Sequence, residues 1–126
     1  AKADAEALVM SCHDTGKICC TIVRPANVTG PGSVWVRDII DQMLKMPVPL
    51  FDRGRHPTSF VYVDSLADGI IRAGTMDIAR GRAYHFRDDW TATWKEYITF
   101  LGSLVGKSPR GNIPFRIAWP LGLFDC

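Results

Sequence analysis

Long apolar runs are missing from this chain. No stretch approaches the roughly 20 residues that a membrane-spanning helix needs, and the start lacks the basic-then-apolar order of a secretory signal. Charge of one sign is missing too. Fifteen Lys and Arg face thirteen Asp and Glu, a net charge of +2, which is too little to argue for nucleic acid or an anionic membrane as partner. There is no C-x-x-C pair. The four cysteines stand at 12, 19, 20 and 126 and the three histidines at 13, 56 and 85, a scatter that argues against a zinc site and predicts no metal. Cys19 and Cys20, adjacent in a strand-like run, are expected to point to opposite faces. Free thiols in a reducing, cytoplasmic compartment are the expectation. Finally, no G-x-G-x-x-G fingerprint and no Walker-type loop occur, so these residues hold no dinucleotide-binding turn or P-loop of their own.

What is present reads as an ordinary globular chain. At 126 residues with 47% hydrophobic and 22% charged content, it has enough for one domain with a core. Its focus is the apolar run Ile18-Cys19-Cys20-Thr21-Ile22-Val23, read as a strand buried on both faces, followed by Arg24-Pro25-Ala26-Asn27-Val28-Thr29-Gly30-Pro31-Gly32. Pro25 cannot donate to a ladder and is expected to close the strand. Gly30 and Gly32 permit backbone angles that other residues resist. In an open α/β sheet the crevice beyond a strand's carboxyl end is where ligands bind, although a strand and a tight turn account for the same residues without a ligand.

The rest of the chain alternates in period. Residues 2–15 predict a helix with Ala5, Leu8, Val9 and Cys12 on one stripe and Gly16 at its end. Lys2 and Glu6, one turn apart, can pair on its surface. Ser33 is placed to cap a helix to Lys45 whose apolar face is Val36, Ile39, Ile40, Met43 and Leu44. Strand-like pieces follow at 48–51 and 59–63, around Asp52-Arg53-Gly54-Arg55-His56-Pro57. Arg53, Arg55 and His56 there read either as a solvated basic loop or as a site for an acidic group on a substrate. Asp64, Ser65 and Asp68 predict capping oxygens for a helix turning Ala67, Ile70 and Ile71 inward and ending at Gly74. Residues 82–87 predict a strand lying parallel beside 18–23, with His85 in a structural role. Thr93-Trp94-Lys95-Glu96 spells a capping box opening a helix to Val105, with Trp94, Tyr97, Ile98, Leu101 and Leu104 inward and Gly106 as its stop. A short edge strand at 110–113 and a final helix begun by Pro114 and broken by Pro120 complete the pattern.

Lys2 on the first helix, the Arg24–Gly32 stretch and Phe60-Val61-Tyr62-Val63-Asp64-Ser65-Leu66-Ala67-Asp68-Gly69 occur in an order and at a spacing that resemble the C-terminal half of an extended short-chain dehydrogenase/reductase. That family includes nucleotide-sugar epimerases and dehydratases, dihydroflavonol reductases and 3β-hydroxysteroid dehydrogenases. The resemblance covers residues 1 to about 114. It implies an α/β fold: the C-terminal part of a Rossmann-like doubly wound sheet plus a small α/β substrate-binding subdomain. The family carries Tyr-x-x-x-Lys at this helix, and Lys2 matches the lysine; the matching tyrosine would stand four positions before Lys2, upstream of Ala1. The resemblance gives Lys2 a catalytic and cofactor-binding role, lowering the tyrosine's pKa and bonding the nicotinamide ribose of NAD or NADP. By match, Pro25, Ala26 and Val28 would hold the nicotinamide end and Asn27 would touch substrate, with Arg53 and Arg55 as further substrate-binding candidates. One departure stands out. Nucleotide-sugar enzymes carry Arg-Asp-Phe where this chain has Thr58-Ser59-Phe60, which leans toward the reductase and steroid-dehydrogenase branches.

Two functions of different class follow. In the first, residues 1–126 are the C-terminal, substrate-facing portion of an NAD(P)-dependent oxidoreductase or epimerase acting on a carbonyl or alcohol carbon, inactive alone because the N-terminal dinucleotide-binding half is absent. In the second, they belong to a non-catalytic, dehydrogenase-like module that senses a ligand or cofactor. Either way the partners expected are a small-molecule substrate and a second copy or the missing N-terminal half, with no nucleic acid and no membrane.

Overall fold

The computed structural model describes residues 1–118. In chain order its elements are α1 (Lys2–Asp14), β1 (Ile22–Pro25), β2 (Asn27–Thr29), α2 (Val34–Lys45), β3 (Leu50–Phe51), β4 (Phe60–Tyr62), α3 (Val63–Thr75), β5 (Ala83–Phe86), α4 (Trp94–Leu104), β6 (Asn112–Ile113) and α5 (Phe115–Ala118), with short 3-10 turns at Asp52–Gly54 and Asp77–Ala79. The expected break at Pro120 and the apolar ending 121–126 lie outside the described residues. Two compact units divide the chain: residues 1–28 with 60–88, and residues 29–59 with 89 onward. Each mixes helices with short strands, the α/β class expected.

In the first unit β1 and β5 pair in parallel, Ile22 opposite Ala83 through Pro25 opposite Phe86. The partner is the one expected, but the strand is not. It begins at Ile22 rather than Ile18, because its neighbour begins only at Ala83, after a turn at Gly81 with φ +67°. Cys19 and Cys20 therefore lie outside the ladder. Pro25 closes the strand as expected, standing as its last residue. The amides of Ile22 and Ala26 donate to Arg82 and Phe86, each at 2.9 Å, so even-numbered residues face β5. Pro25, an odd position, turns its proton-less nitrogen to the opposite edge, where no ladder bond is lost. The presumed loop 24–32 is likewise partly strand, since β2 pairs with β4. Gly30 and Gly32, at φ 150° and 77°, make the turn into α2.

α3 departs most from expectation. Its cap is Tyr62, with no side-chain hydrogen bond at the cap. Asp64 and Ser65 are already helical, so their oxygens cannot act as the predicted cap; Asp64 instead puts its charge in the first turn. Asp68 pairs with Arg72 at 2.9 Å. Ala67, Ile70 and Ile71 face solvent, and the half-buried face is Leu66, Gly69 and Ala73. A Cβ on Gly69 would stand 2.7 Å from the Phe86 ring. The helix has turned its small residues inward to approach β5 closely.

The second unit follows its sequence more closely. Ser33 Oγ accepts from Trp35 N at 3.2 Å and opens α2. At α4 Thr93 and Glu96 exchange bonds, Thr93 N to Glu96 Oε2 at 2.7 Å and Glu96 N to Thr93 Oγ1 at 3.3 Å. Met43 and Ile98 meet Val48 in a small core flanked by Ile39, Leu50 and Trp94. Trp94 tilts against Trp35 with ring centroids 5.5 Å apart. Leu44 and Leu104, expected inward, are exposed, so each apolar face is one position narrower than its sequence stripe. β3 and β6 pair in parallel, Leu50 opposite Asn112 and Phe51 opposite Ile113. Gly106, at φ +66°, follows the end of α4.

Candidate active site

Two ties fix α1 against β1. Near the start of the strand, Cys20 N donates to His13 Nδ1 at 3.3 Å. Near its end, Arg24 Nε donates to both Glu6 carboxylate oxygens, at 3.0 and 3.1 Å, and Arg24 Nη2 bonds Glu6 as well. His13 at the foot and Glu6 at the head mean that α1 runs antiparallel to β1. Lys2 precedes Glu6 by one turn on the same helical face. It therefore stands at the carboxyl end of the strand, where Pro25 to Val28 leave the sheet and where open α/β folds place ligands.

The predicted Lys2–Glu6 pair is not formed, because Arg24 takes the carboxylate. Lys2 is exposed and makes no hydrogen bond or ion pair among the described residues. Arg24 Nη1 lies 3.2 Å from His85 Nε2. Arginine can only donate, so any hydrogen bond there runs from Arg24 to His85 Nε2. The hydrogen bond from Arg24 holds the Glu6 carboxyl below its usual range, and the same bond raises the Arg24 guanidinium. Glu6, Arg24 and His85 thus form one linked group beside Lys2. Sequence reasoning gave none of them a site role; the available signal was an acid one turn after the lysine and an arginine closing the apolar run.

Of the four loop residues, Pro25 has no N–H and Ala26 gives its own to Phe86. Neither can hand an amide hydrogen to a ligand, and their carbonyls are what they can offer. Asn27 and Val28 lie in β2, so Asn27 is a strand residue rather than a turn residue. Lys2, Pro25, Ala26, Asn27 and Val28 share the first unit; Arg53 and Arg55 belong to the second.

There the expected basic cluster is partly neutralised. Asp52 Oδ2 receives Arg55 Nη2 at 2.6 Å, Arg55 Nε at 2.7 Å and His56 Nε2 at 3.0 Å. Burial opposes ionisation of Asp52, but the bonds from Arg55 and His56 outweigh it and hold the carboxyl below its usual range. Arg53, at φ 59°, donates its backbone N–H to Asn112 Oδ1 at 2.6 Å, and its guanidinium alone in this cluster has no partner among the described residues. Thr58 is 1% exposed, with Oγ1 donating to Ala92 O at 3.1 Å. Among the described residues no group of three His, Cys, Asp or Glu can hold a metal ion, and no helix is long and apolar enough to cross a membrane.

Comparison with known proteins places this geometry. An epimerase from Methanothermobacter thermautotrophicus superposes with a TM-score of 0.72 at 20% identity over 86% of this chain and 34% of its own. A UDP-glucose 4-epimerase from Thermotoga maritima gives 0.71 at 20% identity, over 90% of this chain and 38% of its own. A dTDP-glucose 4,6-dehydratase from Bacillus anthracis, solved with NAD, gives 0.69 at 18%, over 90% and 37%. At such identities the likeness is one of fold, and the chain spans little more than a third of the length of these proteins. No curated protein matches the chain. Residues 1–85, from α1 through most of β5, match the family described as the NAD dependent epimerase/dehydratase family, and the chain belongs to that family.

Proposed function

We propose that residues 1–126 are the C-terminal, substrate-facing portion of an NAD(P)-dependent oxidoreductase or epimerase acting on a carbonyl or alcohol carbon of a small molecule in the cytoplasm. The observation that carries this reading is the antiparallel clamp of α1 on β1, which puts an unpaired Lys2 ammonium at the carboxyl end of a parallel strand. NAD(P), when bound, supplies the hydride acceptor or donor. An unpaired ammonium at a strand end suits a nicotinamide ribose hydroxyl as its acceptor and also lowers the pKa of a neighbouring phenol by through-space charge. Lys2 is thus given both roles that the family resemblance implies, toward a tyrosine four positions upstream. Asn27 is given the substrate contact, and the carbonyls of Pro25 and Ala26 together with Val28 the nicotinamide end. Arg53, the unpaired member of the basic turn, is the better candidate for an acidic group on the substrate, because Asp52 occupies Arg55.

The finer reading is a reductase or steroid-dehydrogenase branch rather than a nucleotide-sugar enzyme. Thr58 stands where the nucleotide-sugar enzymes carry their diphosphate-binding arginine, and it is buried and spent on Ala92. It offers no charge and no exposure to a diphosphate.

The test is made on the parent protein. A tyrosine four positions before Lys2 is expected, and Lys2→Met should lower kcat by about a hundredfold or more, weaken NAD(P) binding in calorimetry and leave the melting temperature unchanged. If another residue stands at that position while NAD(P) still binds, the cofactor-sensing reading replaces the enzyme. If the 126-residue chain binds NAD(P) at micromolar concentration alone, the proposed division of the parent into cofactor and substrate halves is wrong.

A further inference from the structure

A cleft of about 400 Å³ in the second unit contains none of the candidate site residues. It opens where two helices end. Lys45 is the last residue of α2, Lys107 and Ser108 follow the close of α4, and Arg110 stands just before β6; all four line it. Its volume falls within the roughly 300–1,000 Å³ of small-molecule sites. The exposed side chains of Leu44 and Met46 contribute an apolar wall, over a floor of the buried Met43 and Val48. The segments are held by backbone contacts rather than by chance of the surface. Lys107 N donates to Gly102 O at 2.8 Å and Arg110 N to Val48 O at 3.0 Å. A Cβ on Gly102 would fall 2.5 Å from the Lys107 carbonyl oxygen and 2.7 Å from Met43 Cε.

Charge decides what this cleft can take. Lys45, Lys107 and Arg110 line it, no carboxylate does, and none of the three makes an ion pair or hydrogen bond with its side chain among the described residues. Asp41, one turn before Lys45, lines a neighbouring hollow with Asp38, and Lys45 lines that hollow as well as the cleft, although Asp41 forms no ion pair there. The carboxyl ends of α2 and α4 contribute about −0.5 charge each, roughly −1 in all against three unit positive charges. With Asp41 beside Lys45 counted as well, about one positive charge remains uncompensated beside an apolar wall, which favours a phosphate on an apolar body.

We propose that this cleft binds an organic phosphate, its phosphate held by Lys45, Lys107 and Arg110 with Ser108 donating, and its apolar or aromatic body against Leu44 and Met46. Arg110 supplies the fork that phosphate geometry favours, and the lysines act as point charges. Inorganic phosphate shares the charge but lacks the body, so the two sources can be told apart.

The experiment is calorimetric titration of the 126-residue chain with phenyl phosphate, inorganic phosphate and phenol, with hydrogen exchange followed at residues 43–48 and 106–110. Phenyl phosphate should bind at least about tenfold more tightly than inorganic phosphate, slow exchange in those two segments, and weaken as salt rises to about 0.5 M. Phenol should not bind. The double variant Lys107→Gln with Arg110→Gln changes two exposed side chains, should keep the wild-type melting temperature, and should lose phenyl phosphate affinity by about tenfold or more. No heat with phenyl phosphate, unchanged affinity in the variant, or protection elsewhere in the chain overturns the site. Equal affinity for inorganic phosphate overturns the apolar half of the proposal.

Discussion

Gly69 of α3 lies against the ring of Phe86 on β5 so closely that a Cβ would stand 2.7 Å from Cε2 and 3.0 Å from Cδ2. Alanine in a helix interior is ordinarily worth up to about 1 kcal/mol over glycine. Here overpacking, about 1–3 kcal/mol, should win. Gly69→Ala is expected to lower stability in urea unfolding, and adding Phe86→Leu should recover part of the loss. An alanine variant as stable as the parent would show that the ring moves away freely.

Acid should loosen both units. The carboxyls of Glu6, Asp52 and Glu96 are all held below their ordinary values. Glu6 is held by its bond to Arg24, and Asp52 by Arg55 and His56 against burial. Glu96 is held first by the Thr93 amide and then by the Thr93 hydroxyl. A carboxylate with a depressed folded-state pKa adds stability that is complete above its unfolded value and is lost as pH falls through the folded one. Stability is therefore expected to be level on the alkaline side of the ordinary values, 4.5 for Glu and 3.8 for Asp, and to fall below them. Melting curves from neutral pH to about pH 3 check this. In the Glu6→Gln variant the part of the fall due to the clamp should disappear.

The helices were legible where local chemistry decides them. Ser33 and the Thr93–Glu96 box act as their spacing predicts, because a cap bond reaches only two or three residues. α3 misled for a physical reason. Asp64, Ser65 and Asp68 copy a capping pattern, yet Val63 is already helical, and Ile70 and Ile71 read as inward where the approach to β5 turned Gly69 and Ala73 in beside Leu66. Pro25 ended the strand as its chemistry predicts, whereas the start misled because Ile18, Cys19 and Cys20 are apolar without having a partner in β5. At the site, Lys2 and the Pro25–Val28 segment could be picked out in sequence. The group that positions them could not, since Arg24 reaches Glu6 across 18 positions and His85 across 61. Asp52 was visible, but its neutralising of Arg55 depends on the turn that Arg53 and Gly54 make at positive φ.

Removing the α4 cap gives a local test. Thr93 Oγ1 accepts from Glu96 N at 3.3 Å and itself bonds Glu96 Oε2 at 2.8 Å. Thr93→Ala should cost about 1 kcal/mol, within the usual 0.5–2 kcal/mol for a lost cap, and Thr93→Asp should keep most of it. Because α4 carries Tyr97, Ile98 and Leu101 into the second unit's core, the loss should appear in global unfolding by urea. An alanine variant that melts like the parent would mean that the first turn contributes nothing to that core.

The open edge of β1 bears on the state of the chain in solution. Even positions face β5, so Val23 and its odd neighbours turn their backbone groups the other way, and among the described residues no second strand meets them. Cys20, Thr21, Val23, Ile70 and Ala73 line a hollow of about 360 Å³ between β1 and α3, and Ile18 and Ile70 are each 48% exposed and Ile71 64%. An unpaired edge beside apolar surface is a template for another chain. Covering even about 400 Å² is worth roughly 10 kcal/mol at about 25 cal/mol per Å², comparable with the stability of a whole domain. Pro25 limits such a ladder at one end by withholding a donor. The 126-residue chain alone is therefore expected to self-associate through the Ile22–Pro25 edge, or to remain single only when further residues of its parent cover that edge. Val23→Lys, which puts a charge on the sheet face next to the open edge, should shift light scattering toward the monomer, and the amide at position 23 should exchange faster in that variant. A compact monomer of the unaltered chain that melts cooperatively, with Val23 strongly protected, would show that the edge is covered from within.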